Sequence, residues 1–197
     1  EAETVIHPNP TNKLVIGDSH SICMYRPGWT VNSVPFKTLN GALNDGLKTF
    51  IPEGNFNEIE LYFGNIDIRH HIVRLDIDVK ELADRYIEQA KELNAKIYEL
   101  LPIENESRKL PQSGYYKGKP FWGTWQERND ARNAFNDYID SKYGIIRWTD
   151  KLLNAQGELD FACMEKPKSI HLSREHYPYW NGVEPDAMSQ SLESFFG

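Results

Sequence analysis

Cysteine and long apolar stretches are both scarce in this sequence. It has only two cysteines, Cys23 and Cys163, in 197 residues, and no CxxC pattern. Disulfide scaffolds are short and dense in cysteine, so we expect two buried thiols of an intracellular protein instead. The longest apolar runs, such as 100–102, are far shorter than the roughly 20 residues of a membrane-spanning helix, and the N-terminus lacks a hydrophobic signal region. The resulting prediction is a cytoplasmic protein with no membrane partner.

Basic residues and metal-binding patterns are scarce as well. The chain has 22 Lys and Arg against 29 Asp and Glu, which gives a formal net charge of -7. A general duplex-DNA binder needs a basic face to neutralise phosphates, so this balance argues against a duplex nucleic-acid partner. Six histidines are present, but the adjacent His70 and His71 would face apart on a strand, and no H-E-x-x-H cluster occurs. We therefore expect no metal and no cofactor.

Apolar periodicity predicts an α/β fold in one domain over residues 1–197. Hydrophobic residues make up 40% of the chain, enough for a core without covalent staples. Short apolar segments predict five strands, and segments with helical spacing predict crossover helices. The strands lie at 13–17, 30–34, 59–64, 95–102 and 145–148, and the helices at 42–51, 79–93 and 126–143. This order implies a three-layer α/β/α sandwich with a mainly parallel five-stranded sheet, whose ligands bind at the carboxyl ends of the strands.

A serine stands where the first predicted strand gives way to a helix. The segment reads Gly17-Asp18-Ser19-His20-Ser21. A serine at such a turn presents its hydroxyl at the sheet edge, and backbone N–H groups at the helix start can bind an oxyanion. Ser19 is therefore a candidate nucleophile. Asp-Ser pairs are also ordinary helix caps, so capping is the alternative interpretation.

Two further polar clusters complete a possible catalytic set. Directly after the third predicted strand, residues 64–71 read Gly-Asn-Ile-Asp-Ile-Arg-His-His, and near the C-terminus His171 is followed by Leu-Ser. The three clusters together offer a nucleophile, polar oxyanion donors and a general base. Acyl transfer requires that combination.

The order of these clusters resembles the SGNH, or GDSL-like, hydrolase family over roughly residues 13 to 180. The matching blocks are Gly17-Asp18-Ser19 (with His20 in place of the usual Leu), Asn40-Gly41, Gly64-Asn65-Ile66-Asp67 and Ile170-His171-Leu172-Ser173. The resemblance implies a flavodoxin-like fold in which Ser19 is the nucleophile and His171 the base. It also implies that the N–H groups of Gly41 and Ser19, together with Asn65, bind the oxyanion, while Asp18, His20 and His71 are further candidates for substrate binding.

This chain departs from the family pattern at two catalytic positions. Ile66 stands where the family has its oxyanion asparagine, and Lys168 stands three residues before His171, where the family has the triad acid. An orienting carboxylate is worth up to ~10⁴ in rate. Glu165 or Asp160 could replace it, a backbone carbonyl could, or the acid could be missing.

The cluster after the third strand has its own regular pattern. Asp67, Arg69 and His71 alternate, which would place them on one side of an extended segment. Arg69 could then bind the oxyanion or a substrate carboxylate or phosphate. The alternative is that Asp67 and Arg69 form a salt bridge that closes the loop.

A long aromatic and basic loop separates the fourth strand from the last helix. Residues 108–128 hold five aromatics and five cations: Tyr115, Tyr116, Phe121, Trp122 and Trp125, with Arg108, Lys109, Lys117, Lys119 and Arg128. Such a surface can stack sugar rings or single-stranded bases, although the aromatics could equally pack the loop onto the body.

The sequence therefore predicts a serine ester hydrolase or acyltransferase acting on a small O-acyl group, such as acetyl on a carbohydrate. The first alternative is a catalytically impaired SGNH-fold module that binds a glycan or nucleotide. The second is a transferase that uses Asp67 as its catalytic base and Arg69 to hold a phosphate.

Overall fold

The structure, a computed structural model, describes residues 3–6, 12–105, 112–113, 117–118, 121–166 and 169–182. In these residues a five-stranded sheet is flanked by helices, with strand order β1-β3-β2-β4-β5. The strands are β1 (Glu3–Ile6), β2 (Lys13–Gly17), β3 (Trp29–Ser33), β4 (Glu58–Tyr62) and β5 (Lys96–Ile97). The α-helices are α1 (Leu39–Asp45), α2 (Asn65–His70), α3 (Ile72–Leu75), α4 (Val79–Glu92) and α5 (Trp125–Lys142). Short 3-10 helices occupy Ser19–Met24, Leu47–Phe50, Asp150–Leu152, Phe161–Cys163 and Arg174–His176.

The α/β prediction is confirmed, with four parallel strands instead of five. Strands β3, β2, β4 and β5 run parallel, and β1, which the sequence pattern did not reveal, pairs antiparallel with β3. The predicted strand at 145–148 forms only one bridge, between Tyr98 and Ile146. The reason lies in Glu99, whose carboxylate accepts the N–H groups of Trp148 and Thr149 at 2.6 and 2.7 Å. If the strand pairing continued beyond Ile146, these two N–H groups would be needed for hydrogen bonds to the neighbouring strand.

The two long helices were predicted within a few residues of their bounds. Asp78 caps α4, and a capping box of Thr124 and Glu127 starts α5. Both devices satisfy N–H groups that the first helical turn leaves unbonded. The predicted helix at 42–51 is divided at Gly46, whose φ of 91° is open to glycine and costly for other residues. Among the described residues, no helix has both the length and the apolar character that crossing a membrane requires.

The register of the central strands brings their carboxyl ends together. Gly17, at the end of β2, pairs with Ser33 of β3 on one side and with Tyr62 of β4 on the other. A Cβ on Gly17 would clash with the Tyr62 carbonyl, so the close approach of the strands needs glycine. The chain that follows each of these strands therefore starts at the same edge of the sheet.

Candidate active site

Ser19 and His171 meet at this edge across a gap of 152 residues in sequence. Asp18 caps the 3-10 helix that begins at Ser19 by accepting the His20 N–H. The Ser19 Oγ lies 3.0 Å from Nε2 of His171, within hydrogen-bond reach. Both side chains are half-buried, so the pair remains accessible from solvent. A hydroxyl held by an imidazole nitrogen is the arrangement that general-base activation of a nucleophile needs.

Backbone hydrogen bonds hold the segment that carries His171. The His171 carbonyl accepts the Glu165 N–H at 2.9 Å, and its own N–H donates to Ser169 Oγ at 3.1 Å. The next residue, Leu172, forms a bridge with Met164. Downstream, the guanidinium of Arg26 lies between the Trp29 and Tyr179 rings, 3.5 and 3.9 Å from their centroids. His171 is therefore fixed on both sides of its position in the chain.

The two carboxylates considered as replacements for the triad acid bind elsewhere. Asp160 accepts the N–H of Ala162 and so caps a 3-10 helix. Glu165 accepts a hydrogen bond from Ser169 Oγ at 2.9 Å. Neither hydrogen bond involves the His171 ring. Lys168, at the usual position of the acid, lies outside the described residues.

A second imidazole packs against the first. The rings of His20 and His171 stack with centroids 4.7 Å apart and planes inclined by 15°. His20 is buried, and its Nδ1 lies 3.1 Å from Oδ1 of the fully buried Asp18. A cavity of about 10 Å³ borders both histidines, together with Cys23 and Tyr177. That volume is close to the minimum for one water molecule.

The predicted one-sided set of Asp67, Arg69 and His71 is wrong, because residues 65–70 form helix α2 and are not extended. Each helical residue turns by roughly 100°, so alternate residues point in nearly opposite directions. Arg69 is buried and donates to Glu104 at 3.0 Å, and His71 Nδ1 lies 2.9 Å from an Arg74 nitrogen. The alternative salt bridge between Asp67 and Arg69 is not formed either.

Asp67 acts on the neighbouring helix α1. Its two oxygens accept the N–H groups of Leu39 at 2.7 Å and Asn40 at 3.1 Å. These are first-turn donors, which a negative charge at the helix N-terminus satisfies and stabilises. These two hydrogen bonds explain why a carboxylate can occupy a buried position.

Of two predicted oxyanion donors, the Gly41 N–H is bound elsewhere and the Asn65 amide is buried. Gly41 lies inside α1, and its N–H donates to the capping hydroxyl of Thr38 at 2.9 Å. The fully buried Asn65 accepts the Leu101 N–H at 3.1 Å, while its Nδ2 has no hydrogen-bond partner in the structure. The glycine-block match at Asn40-Gly41 therefore falls on a helix instead of on the turn after β3.

The turn after β3 contains an unusual residue that sequence reasoning missed. Phe36 has a left-handed φ of 62°, and its side chain is 87% exposed. It follows Pro35 in a turn closed by the Lys37 N–H and the Val34 carbonyl at 3.3 Å. Glycine or asparagine is usual at this position of such a turn. Neither the Phe36 N–H nor the Ser19 N–H donates to another described residue.

Solved structures resemble this arrangement over most of the chain. A protein from Desulfitobacterium hafniense DCB-2, assigned to the lipolytic G-D-S-L family, is 12% identical with a TM-score of 0.55, and the match covers 85% of this chain and 94% of that one. A catalytic mutant of the acetylxylan esterase Axe2 from Geobacillus stearothermophilus is 10% identical with a TM-score of 0.55, covering 88% and 90%. The OSK domain of Drosophila Oskar is 19% identical with a TM-score of 0.52, covering 97% and 91%.

The chain has the SGNH hydrolase fold. No family model matches it, and no curated protein matches its sequence. The turn after β3 contains no glycine, and Phe36 occupies its left-handed position.

Phe36 is expected to cost stability. Left-handed backbone costs a non-glycine residue ~1–2 kcal/mol, and asparagine tolerates it best among side chains other than glycine. Phe36→Asn should therefore raise the free energy of unfolding in urea by roughly 0.5–1 kcal/mol. Phe36→Ala removes the same aromatic ring but retains the penalty, so it should give no comparable gain. Equal effects of the two substitutions would show that backbone strain is not the cause.

Asp67 should make stability depend on pH. Burial raises its pKa from 3.8 to about 6, against the lowering effect of the Leu39 and Asn40 N–H groups. Between these values the folded chain binds more protons than the unfolded chain, so the free energy of unfolding falls as pH rises, by roughly 3 kcal/mol from this group. Asp67→Asn keeps one acceptor for the helix and should flatten this slope in urea titrations from pH 4 to 7. Parallel profiles of the two proteins would contradict the assignment.

The aromatic and basic loop is described only in part. Trp122 is 49% exposed, whereas Trp125 donates from its indole N–H to the Ile103 carbonyl at 2.9 Å. Arg128 belongs to α5 and is buried, 3.7 Å from the centroid of the Phe121 ring, so its place in a cationic surface was predicted wrongly. The remaining members are Lys117, which is exposed, and Arg108, Lys109, Tyr115, Tyr116 and Lys119, which lie outside the described residues.

Proposed function

We propose that the protein is a serine ester hydrolase or acyltransferase that acts on a short O-acyl group. The observation that carries the proposal is the 3.0 Å separation of Ser19 Oγ and His171 Nε2 at the carboxyl edge of the parallel sheet. This is the edge at which α/β folds bind their ligands. The SGNH hydrolase fold and its esterase neighbours support the same reaction class.

The reaction proceeds in two acyl-transfer steps. His171 Nε2 takes the proton from Ser19 as Oγ attacks the ester carbonyl, and the proton then passes to the leaving alcohol as the C–O bond breaks. Water, or an acceptor alcohol, repeats the sequence on the acyl-serine and releases the acid or the new ester. The N–H groups of Ser19 and Phe36, which have no described acceptor, would donate to the oxyanion.

The substrate class is inferred from the neighbours and from one exposed aromatic side chain. One neighbour is an acetylxylan esterase, which supports a short group such as acetyl. A carbohydrate acceptor is suggested by the acetylxylan esterase among the similar structures and by the exposed Trp122, since aromatic faces stack on sugar rings.

A fluorophosphonate probe tests the nucleophile directly. Wild-type protein should be labelled at one serine and should hydrolyse 4-nitrophenyl acetate, and Ser19→Ala should lose both properties. Ser141→Ala, an exposed serine on α5, is the matched control and should behave as wild type. If the wild-type protein shows neither labelling nor turnover, the hydrolase proposal fails and the glycan- or nucleotide-binding alternative is favoured.

A further inference from the structure

The residue after the nucleophile is a buried histidine where SGNH sequences usually have leucine. His20 is 4% exposed and forms the face on which the His171 ring lies, at 4.7 Å and 15°. Leucine would fill such a place without polar atoms. Burying polar atoms costs free energy unless they are hydrogen-bonded, so the presence of an imidazole calls for a specific reason.

Asp18 determines the protonation of this ring. Its Oδ1 accepts the His20 backbone N–H at 2.8 Å and lies 3.1 Å from His20 Nδ1, so the proton on Nδ1 points at the carboxylate. His20 Nε2 is buried and has no hydrogen-bond partner in the structure. A second proton at Nε2 would be a charged and unsatisfied buried donor, which is costly. His20 is therefore a neutral ring polarised by a buried carboxylate.

We propose that His20, polarised by Asp18, is a positioning residue that stabilises the imidazolium form of His171. The inference rests on the proposed function. When His171 Nε2 takes the Ser19 proton, positive charge develops on a ring whose face lies against a neutral π system, and cations are attracted to such faces. The Asp18 carboxylate adds a favourable field in a site of low dielectric. A triad acid supplies the corresponding stabilisation through Nδ1.

Two substitutions test separately the contribution of the His20 ring and that of the Asp18 charge. His20→Leu restores the residue usual in the family, and Asp18→Asn keeps an acceptor for the helix cap and for His20 while removing the charge. Each should lower kcat for 4-nitrophenyl acetate roughly tenfold, with KM changed less than about twofold, because the effect arises only when His171 is charged. Met24→Leu, buried in the same 3-10 helix, is the control and should keep the wild-type kcat.

An NMR measurement gives a readout independent of turnover. The ring protons of His171 should show an upfield ring-current shift that His20→Leu abolishes and Asp18→Asn retains. A wild-type kcat in His20→Leu, with fluorophosphonate labelling still dependent on Ser19, would overturn this inference and leave the proposed function standing. A wild-type protein that is not labelled would overturn both. If His20→Leu does not fold by circular dichroism, Asp18→Asn decides, since an unchanged kcat there overturns the role of the pair.

Discussion

His171→Ala is expected to lower kcat/KM for 4-nitrophenyl acetate by roughly 10³-fold or more, because the Ser19 hydroxyl loses the nitrogen that lies 3.0 Å away. A neutral serine hydroxyl is a weak nucleophile without an adjacent base. Ser19→Ala should cost a similar factor. Since the two groups act as one unit, the double variant should be no slower than either single variant, which steady-state kinetics of the three proteins can show.

His176→Ala is the matched control for the loss of an imidazole from this segment. His176 lies five residues further on, and its Nδ1 is 2.7 Å from the hydroxyl of Ser173. It should retain turnover within about twofold of wild type. A fall of less than tenfold in His171→Ala, or full additivity with Ser19→Ala, would rule out His171 as the base.

The sequence patterns predicted those strands and helices whose apolar side chains recur with a regular spacing. Apolar runs located β2, β3 and β4, and helical spacing located α4 and α5 to within a few residues. Ser19 was a candidate nucleophile because it lies at the carboxyl end of a predicted strand. The pairing of Ser19 with His171 depended on the order of motifs, because no local pattern links residues 152 positions apart.

Other features depend on tertiary contacts that a one-dimensional pattern does not contain. The polar side chains at 65–70 suggested an extended segment, but those of Asp67 and Arg69 bind buried groups from elsewhere in the chain, and the segment is a helix. The strand at 145–148 was interrupted by one carboxylate, that of Glu99. Phe36 could have been suspected only from Pro35, which favours a turn with a left-handed third residue.

Glu104→Gln should strongly destabilise the fold. Glu104 is fully buried and lies between two arginines that are each only 1% exposed, Arg69 at 3.0 Å and Arg128 at 3.9 Å. Burial lowers the pKa of Arg128 to about 10, although Glu104 acts in the opposite direction. Removing the one negative charge leaves two buried cations uncompensated, and breaking a buried pair in this way costs ~3–5 kcal/mol.

Urea unfolding of Glu104→Gln checks this value. Glu88→Gln, which changes an exposed carboxylate on α4, is the control and should change the free energy of unfolding by less than about 0.5 kcal/mol.

The two arginines beside Glu104 differ in their other contacts. Arg69 also donates to the carbonyls of Asn65 and Pro102, at 3.3 and 2.8 Å, so it connects α2 to the chain after β5 and should retain that role in the variant. Arg128 has an unpartnered Nε and holds Glu104 less closely. Adding Arg128→Gln should therefore recover part of the loss by removing one uncompensated cation. If the double variant is less stable than Glu104→Gln by the full cost of the single Arg128→Gln, the two residues are not coupled and the destabilisation has another origin.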